Sequence, residues 1–207
     1  MRYSVTPLHR LLFPGVIWRT ESDSVHLTFD DGPHPVATPA VLSLLREHNI
    51  KSTFFLIGKN AVTYPHLVSQ IVSEGHQIGN HTYNHRQLIF RSTPTIRAEI
   101  RDGKEALERI AGDAIQYFRP PYGYFDYRTI SIARKLRQRL VMWTIDPGDF
   151  EPVETSVVVE RVMRKLNRGS IILLHDNDHT QAKIGEILDR TVDSIHNSGM
   201  TFSPLPL

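Results

Sequence analysis

Asp30 and Asp31 stand side by side in Thr28-Phe29-Asp30-Asp31-Gly32, after a run in which Val25, Leu27 and Phe29 alternate with His26 and Thr28. That alternation predicts a β-strand, and Gly32 with Pro33 turns the chain at its end. Adjacent strand side chains point to opposite sides, so only the break at a strand end lets both acids aim into one cleft. Two carboxylates so close repel each other unless a cation or a proton lies between them. Alone, the pair is open to three readings. It is an Asp-Gly turn with a spare acid, a phosphatase-type nucleophile (which usually spaces its aspartates by one residue), or a metal ligand beside a base.

His81-Thr82-Tyr83-Asn84-His85 places two imidazoles four residues apart. On a helical turn both would face one way and could bind one ion. The chain has 11 histidines, so the spacing alone also arises by chance. Combined with the acid pair, two histidines and one carboxylate make a three-ligand site with positions left for water and substrate. Zn²⁺ is the first choice, and Fe²⁺, Co²⁺ and Ni²⁺ suit the same donors. The second aspartate is then free to act as a general base.

Three further stretches carry chemistry-bearing residues. Arg119-Pro120-Pro121-Tyr122-Gly123 is a stiff loop that either turns a corner or holds Arg119 against a carboxylate. A backbone N–H in such a loop could face a developing oxyanion. Asp146 and Asp149 flank Pro147-Gly148, where turn chemistry is the alternative. His175 ends the apolar run Ile171-Ile172-Leu173-Leu174, as a satisfied core histidine or as an acid–base group.

Short apolar strands alternate with amphipathic helices along the chain. Strands are expected at 24–29, 52–57, 77–80, 117–119, 140–143, 170–174 and 201–205. Helices are expected at 38–49, with Thr38 as N-cap and Pro39 behind it, and at 65–74, 94–111, 126–137, 156–167 and 184–195. This alternation implies parallel pairing through right-handed crossovers, in an open sheet or an incomplete barrel. The polar clusters follow the C-terminal ends of five strands. A barrel brings all such ends to one cleft, whereas an open sheet gathers only those at its switch point, so the barrel is favoured.

The length of 207 residues fits one domain, and 40% hydrophobic with 22% charged residues is ordinary for a globular protein. The net charge of +2 is spread along the chain and gives no nucleic-acid footprint. With no cysteine, disulfides and thiolate metal sites are excluded. Pro14-Gly15 cuts the only early apolar run, so no signal peptide or membrane span is expected, and a cytoplasmic location is the default. The segment Leu8 to Trp18 reads as a lid on the core, with peripheral contact to a membrane or a partner as the alternative. Nothing in the sequence sets the oligomeric state.

The order Thr-Phe-Asp-Asp-Gly, His-Thr-x-x-His, Arg-Pro-Pro-Tyr-Gly, Asp-x-x-Asp-Phe and Leu-Leu-His resembles the five motifs of polysaccharide deacetylases, the NodB homology domain of the fourth carbohydrate esterase family. The resemblance runs from about Thr20 to Leu205 and implies a single domain, a distorted (β/α)₇ barrel with its active site at the C-terminal ends of the strands. It implies removal of N- or O-acetyl groups from carbohydrates with a divalent metal. By similarity, Asp31, His81 and His85 bind the metal, Asp30 is the base, and His175 protonates the leaving amine. Arg119 pairs with Asp30, and Asp149 with His175. Tyr122 offers a backbone N–H to the oxyanion, and Leu173 lines the acetyl pocket. Phe150 stands where the family usually has tryptophan, which keeps an aromatic wall and removes an indole donor. A metal-dependent N-deacetylase of an amino sugar is the expected activity. A deformylase or deacetylase of a lipid-linked amino sugar and a silent carbohydrate-binding protein are the rivals.

Overall fold

The computed structural model describes residues 11–206. Seven strands, all parallel, form one sheet: β1 (Val16–Ile17), β2 (His26–Asp30), β3 (Thr53–Leu56), β4 (Gln77–Asn80), β5 (Tyr117–Phe118), β6 (Arg139–Val141) and β7 (Ile171–His175). Their order is β1-β6-β5-β4-β3-β2-β7, so the sheet curls with β1 and β7 at its two ends. Among the described residues no ladder joins those ends. The curl is instead closed by the segment after β6, where Ile145 bridges Ile172 and Leu173 N–H donates to the Ile145 carbonyl at 2.9 Å. The result is the curled, incompletely closed (β/α)₇ barrel that the order of elements predicts.

The alternation in β2 has a different meaning from that of a half-exposed strand, because all five residues are buried. Leu27 and Phe29 share a core with Val41, Leu42, Ile187 and Leu188 of the covering helices. His26, Thr28 and Asp30 point the other way, where Thr28 and Asp30 meet the Arg119 guanidinium. Parallel strands covered by helices on one side and packed side chains on the other have no solvent face. The polar residues of β2 therefore need buried partners, and each has one. His26 bonds Thr20 Oγ1 at 2.7 Å, and Thr28 donates to the Ile172 carbonyl at 2.7 Å.

Seven α-helices are described: α1 (Ala37–Glu47), α2 (Gly58–Thr63), α3 (Pro65–Ser73), α4 (Thr93–Ala111), α5 (Tyr127–Lys135), α6 (Thr155–Met163) and α7 (Ile184–Asn197). Ser92 caps α4 by accepting from Thr95 N–H, and Gly112 stops it in a left-handed conformation. Asp126 caps α5 in a reciprocal box with Thr129.

Three expectations are corrected. The strand expected at 201–205 is a single bridge from Phe202 to Val25, since Pro204 and Pro206 cannot donate to a ladder. The seventh strand is β1, inside the segment read as a lid; residues 8–10 of that segment lie outside the described ones. Thr38 lies inside α1 and does not cap it. Its hydroxyl accepts from His34 N–H at 2.8 Å and donates to buried Asp176.

Candidate active site

Parallel pairing puts the C-terminal ends of the strands on one rim, and the register does the fine placement. Asp30 of β2 lies directly opposite His175 of β7, one strand spacing away. The chain leaves β2 at Asp31 and β4 at His81, and it leaves β5 at Arg119. Around these ends lies a cleft of about 540 Å³, lined by Asp30, Asp31, His81, His85, Tyr122, Phe150, Leu173 and His175.

Arg119 is fully buried. Its Nη1 donates to Asp30 Oδ1 at 2.7 Å and to Thr28 Oγ1 at 2.8 Å; Nη2 and Nε reach the Met142 and Val141 carbonyls. The guanidinium lies 4.0 Å from the Phe55 ring centroid. A buried cation held on every side fixes one oxygen of Asp30 and leaves the other toward the cleft. That oxygen, Oδ2, is 3.8 Å from His81 Nε2.

The two histidines do converge, but not on a helical turn. Residues 82–85 form a loop in which Thr82 (φ 67°) and His85 (φ 56°) are left-handed. Thr82 Oγ1 accepts from His85 N–H at 3.0 Å, and Glu99 of α4 accepts from Asn84 N–H and Nδ2, both at 2.9 Å. Asp31 (φ 80°) and Tyr122 (φ 60°) are left-handed too. Such conformations cost on the order of 1–3 kcal/mol each in non-glycine residues and collect at functional sites.

Asp31, His81 and His85 each bring a ligand atom within 4.8 Å of the others. His81 Nδ1 sits 2.7 Å from the Arg119 carbonyl, which can only accept, so Nδ1 carries the proton. Its Nε2 lone pair then faces Asp31 Oδ1 at 3.5 Å, and His85 Nε2 lies 3.0 Å from the same oxygen. Burial pushes the Asp31 carboxyl up. In their protonated forms the His81 and His85 imidazoles outweigh it, with His175 further off, and hold the carboxyl well below the usual range. Lone pairs and negative charge aimed at one point suit a divalent cation, and the donor set fits the expected metal.

On the opposite wall, His175 Nδ1 lies 2.8 Å from Asp149 Oδ1, and Asp149 Oδ2 accepts from His175 N–H at 2.7 Å. Burial would lower the His175 pKa. The charge and hydrogen bond of Asp149, with Asp31 and Asp30 beyond, more than offset it and raise the value to about 10. The Phe150 and His175 rings meet at right angles, 5.5 Å between centroids, and half-exposed Phe150 also lines the cleft. Leu173 faces the cleft at 3% exposure. The Tyr122 ring covers His85 at 4.7 Å. Asp146 also lines the cleft, and its Oδ1 accepts from Gly148 N–H at 3.0 Å, in keeping with turn chemistry.

Nine of the eleven residues singled out from the sequence therefore line one cleft, and the other two, Arg119 and Asp149, are buried behind it against Asp30 and His175. Sequence reasoning missed the groups behind them. Asn60 Nδ2 donates to the Asp31 carbonyl at 2.9 Å, and Asn177 Nδ2 to Asp31 Oδ2 at 2.7 Å. Asp176 lies beneath the turn so closely that a Cβ at Gly32 would collide with its carboxylate. Burial, with Asp31 and Asp30 nearby, raises its pKa to about 8 despite the Thr38 hydrogen bond, and its Oδ1 finds no hydrogen-bond partner among the described residues. The Asp176 signal was present in the motif itself, one residue after His175.

The profile of the polysaccharide deacetylase family matches residues 18–141. The chain is similar to a chitooligosaccharide deacetylase of Azorhizobium caulinodans, 40% identical over 154 residues, which is 74% of this chain and 73% of that protein. Its fold superposes with a TM-score of 0.90 on a peptidoglycan N-acetylglucosamine deacetylase crystallised with 4-naphthalen-1-yl-N-oxidanyl-benzamide. That match is 34% identical and covers 98% of this chain and 96% of the other. A CE4 family pseudoenzyme from Bacillus anthracis also superposes, with a TM-score of 0.84 at 28% identity, over 92% of this chain and 67% of the other. The fold, the motif order and these matches agree: the chain belongs to the polysaccharide deacetylase family.

Proposed function

We propose that the protein hydrolyses the N-acetyl group of an amino-sugar oligomer or polymer of the chitooligosaccharide or peptidoglycan kind. One observation carries the reading. A carboxylate tethered to a buried arginine and an imidazole tethered to a buried aspartate face one cleft from adjacent strands, beside Asp31, His81 and His85.

Asp31, His81 and His85 would hold a divalent cation, with zinc as the first choice and cobalt, nickel or iron as alternatives. Bound there, it would polarise the acetyl carbonyl and make the attacking water more acidic. Asp30 takes the proton of that water as its oxygen bonds to the carbonyl carbon, and Arg119 keeps the carboxylate aimed. The C–N bond then breaks, and His175 gives its Nε2 proton to the departing nitrogen, leaving acetate and a free amine. Asp149 holds the imidazole at Nδ1 and stabilises its charged form. The Tyr122 backbone N–H donates to the oxyanion, and Phe150 forms an aromatic wall for the sugar ring. A protein that only bound carbohydrate would have no use for two buried, mutually neutralised acid–base pairs, and this supports catalysis over silent binding.

The test is mass spectrometry of acylated sugars, from monosaccharide to chitooligosaccharide, muropeptide and lipid-linked forms, N-acetylated or N-formylated. The zinc-loaded protein should release acetate from the oligomers. Chelation should stop the reaction and zinc restore it. Turnover of a lipid-linked formyl sugar alone would transfer the reading to that rival substrate. None of the described helices is long and apolar enough to cross a membrane.

A second expectation concerns the acyl group. Leu173 lies two residues before His175 and faces the same cleft. A leucine wall leaves space for a methyl group, and each further methylene costs about 1–3 kcal/mol, roughly 10–200-fold in rate. Acetyl should therefore leave far faster than propionyl or butyryl, with formyl tolerated, and Leu173→Ala should relax that order. Equal acetyl and butyryl rates in the unaltered protein would remove Leu173 from the acyl pocket.

A further inference from the structure

Asp31 has two carboxylate oxygens, and the structure treats them differently. Oδ1 is the atom nearest both imidazoles, at 3.0 Å from His85 Nε2 and 3.5 Å from His81 Nε2. Oδ2 accepts a 2.7 Å hydrogen bond from Asn177 Nδ2. We infer that Asn177 is a positioning residue that occupies Asp31 Oδ2, so that Oδ1 alone is presented to the two histidines.

The direction of the Asn177 amide is fixed by its other end. Its Oδ1 accepts from His179 N–H at 2.9 Å and from Thr180 N–H at 3.3 Å. Only the carbonyl oxygen of the amide can accept both, so the NH₂ group is the one that meets Asp31. Asn177 N–H donates to Thr180 Oγ1 at 3.2 Å, and that hydroxyl donates to the His175 carbonyl at 2.6 Å. Thr180 is fully buried. The amide is thus anchored to the end of β7, the strand that carries the acid, and it acts on Asp31, the residue that follows β2. Asn60 holds the Asp31 main chain from the far side at 2.9 Å. Without the Asn177 bond, a carboxylate on a left-handed residue is free to turn about its own side chain and offer either oxygen or both.

The inference rests on the proposed ligand role of Asp31, and the experiment separates the two. Zinc affinity is measured by competition with a chromogenic chelator, and the visible spectrum of the cobalt-loaded protein is recorded, since it responds to the number and arrangement of ligands. Asn177→Ala should weaken zinc binding by about 10–100-fold, the usual effect of losing a hydrogen-bond partner of a ligand. Its cobalt spectrum should differ from that of the unaltered protein. Asn177→Asp keeps an acceptor for His179 and Thr180, so the loop folds, but it cannot donate to Asp31; its cobalt spectrum should also change. An unaltered zinc affinity in Asn177→Ala, or an unaltered cobalt spectrum in either variant, overturns the positioning role. Asp31→Asn tests the premise: zinc bound as tightly as before would remove Asp31 from the ligand set, whatever the Asn177 variants do.

Discussion

Asp30→Asn is expected to lower kcat by about 10²–10⁴-fold, the usual worth of a general base, while zinc content stays at that of the unaltered protein. Asparagine fills the same space and keeps an oxygen for Arg119 Nη1, but it cannot take a proton. The proposed metal donors are the neighbouring Asp31 with His81 and His85, so the substitution leaves that set untouched. The variant should also lose stability, because the fully buried Arg119 loses the anion 2.7 Å away. Removing one member of a buried ion pair costs on the order of 3–5 kcal/mol. Elemental analysis, circular dichroism and kinetics at a temperature where the variant is folded separate these effects. Loss of zinc would mean that the two aspartates have exchanged roles. Near-normal turnover would place the base elsewhere.

The second large effect is expected at His175. Its pKa is raised from the ordinary 6.5 to about 10, so the imidazolium persists at neutral pH and can serve as an acid. A cation held by Asp31 cancels the share of that field which Asp31 supplies. The alkaline limb of kcat/KM in the loaded protein is therefore expected between 6.5 and about 10. His175→Ala should abolish that limb and most of the rate, roughly 10²–10⁴-fold. Asp149→Asn should move the limb to lower pH, because Asp149 is the main group that raises the value. The same shift affects folding. A group whose pKa rises on folding stabilises the fold fully below its unfolded value, here 6.5, and the contribution is lost as pH climbs through about 10. An alanine variant with the original alkaline limb would exclude His175 from the reaction.

What could be read from the sequence followed from period and burial. The apolar run 171–174 and the face of α7 announced themselves, and with them the rim on which Asp30, Arg119 and His175 stand. Strand β1 did not, because two residues cannot show a period. Helix α2, six residues opening on a glycine, offered neither a cap nor an apolar stripe. The His81–His85 spacing pointed to a pair that does converge, but by the wrong geometry, since four residues also close a loop when two of them are left-handed. Asn177 was unreadable for another reason. Its role exists only because the chain after β7 folds back over the end of β2, a contact between positions 146 residues apart.

The seam of the barrel divides the cleft into unequal halves. Strand β2 is zipped along both edges, to β3 and to β7, and the ends that carry Asp31 and His81 stand on continuous ladders. The far edge of β7 is held by one bridge at Ile145 and a few neighbouring bonds. Local opening starts where the fewest backbone bonds must break. Amide hydrogens at Thr144, Ile145 and Leu173 should therefore exchange sooner than those of β2 and β3. Breathing at that edge shifts Leu173 and the turn carrying Asp149 and Phe150, while the strands that carry Asp31 and His81 stay closed. Tolerance for a bulkier acyl group or a different sugar can thus be acquired by loosening one edge of the molecule, with the ends that carry Asp31 and His81 left rigid.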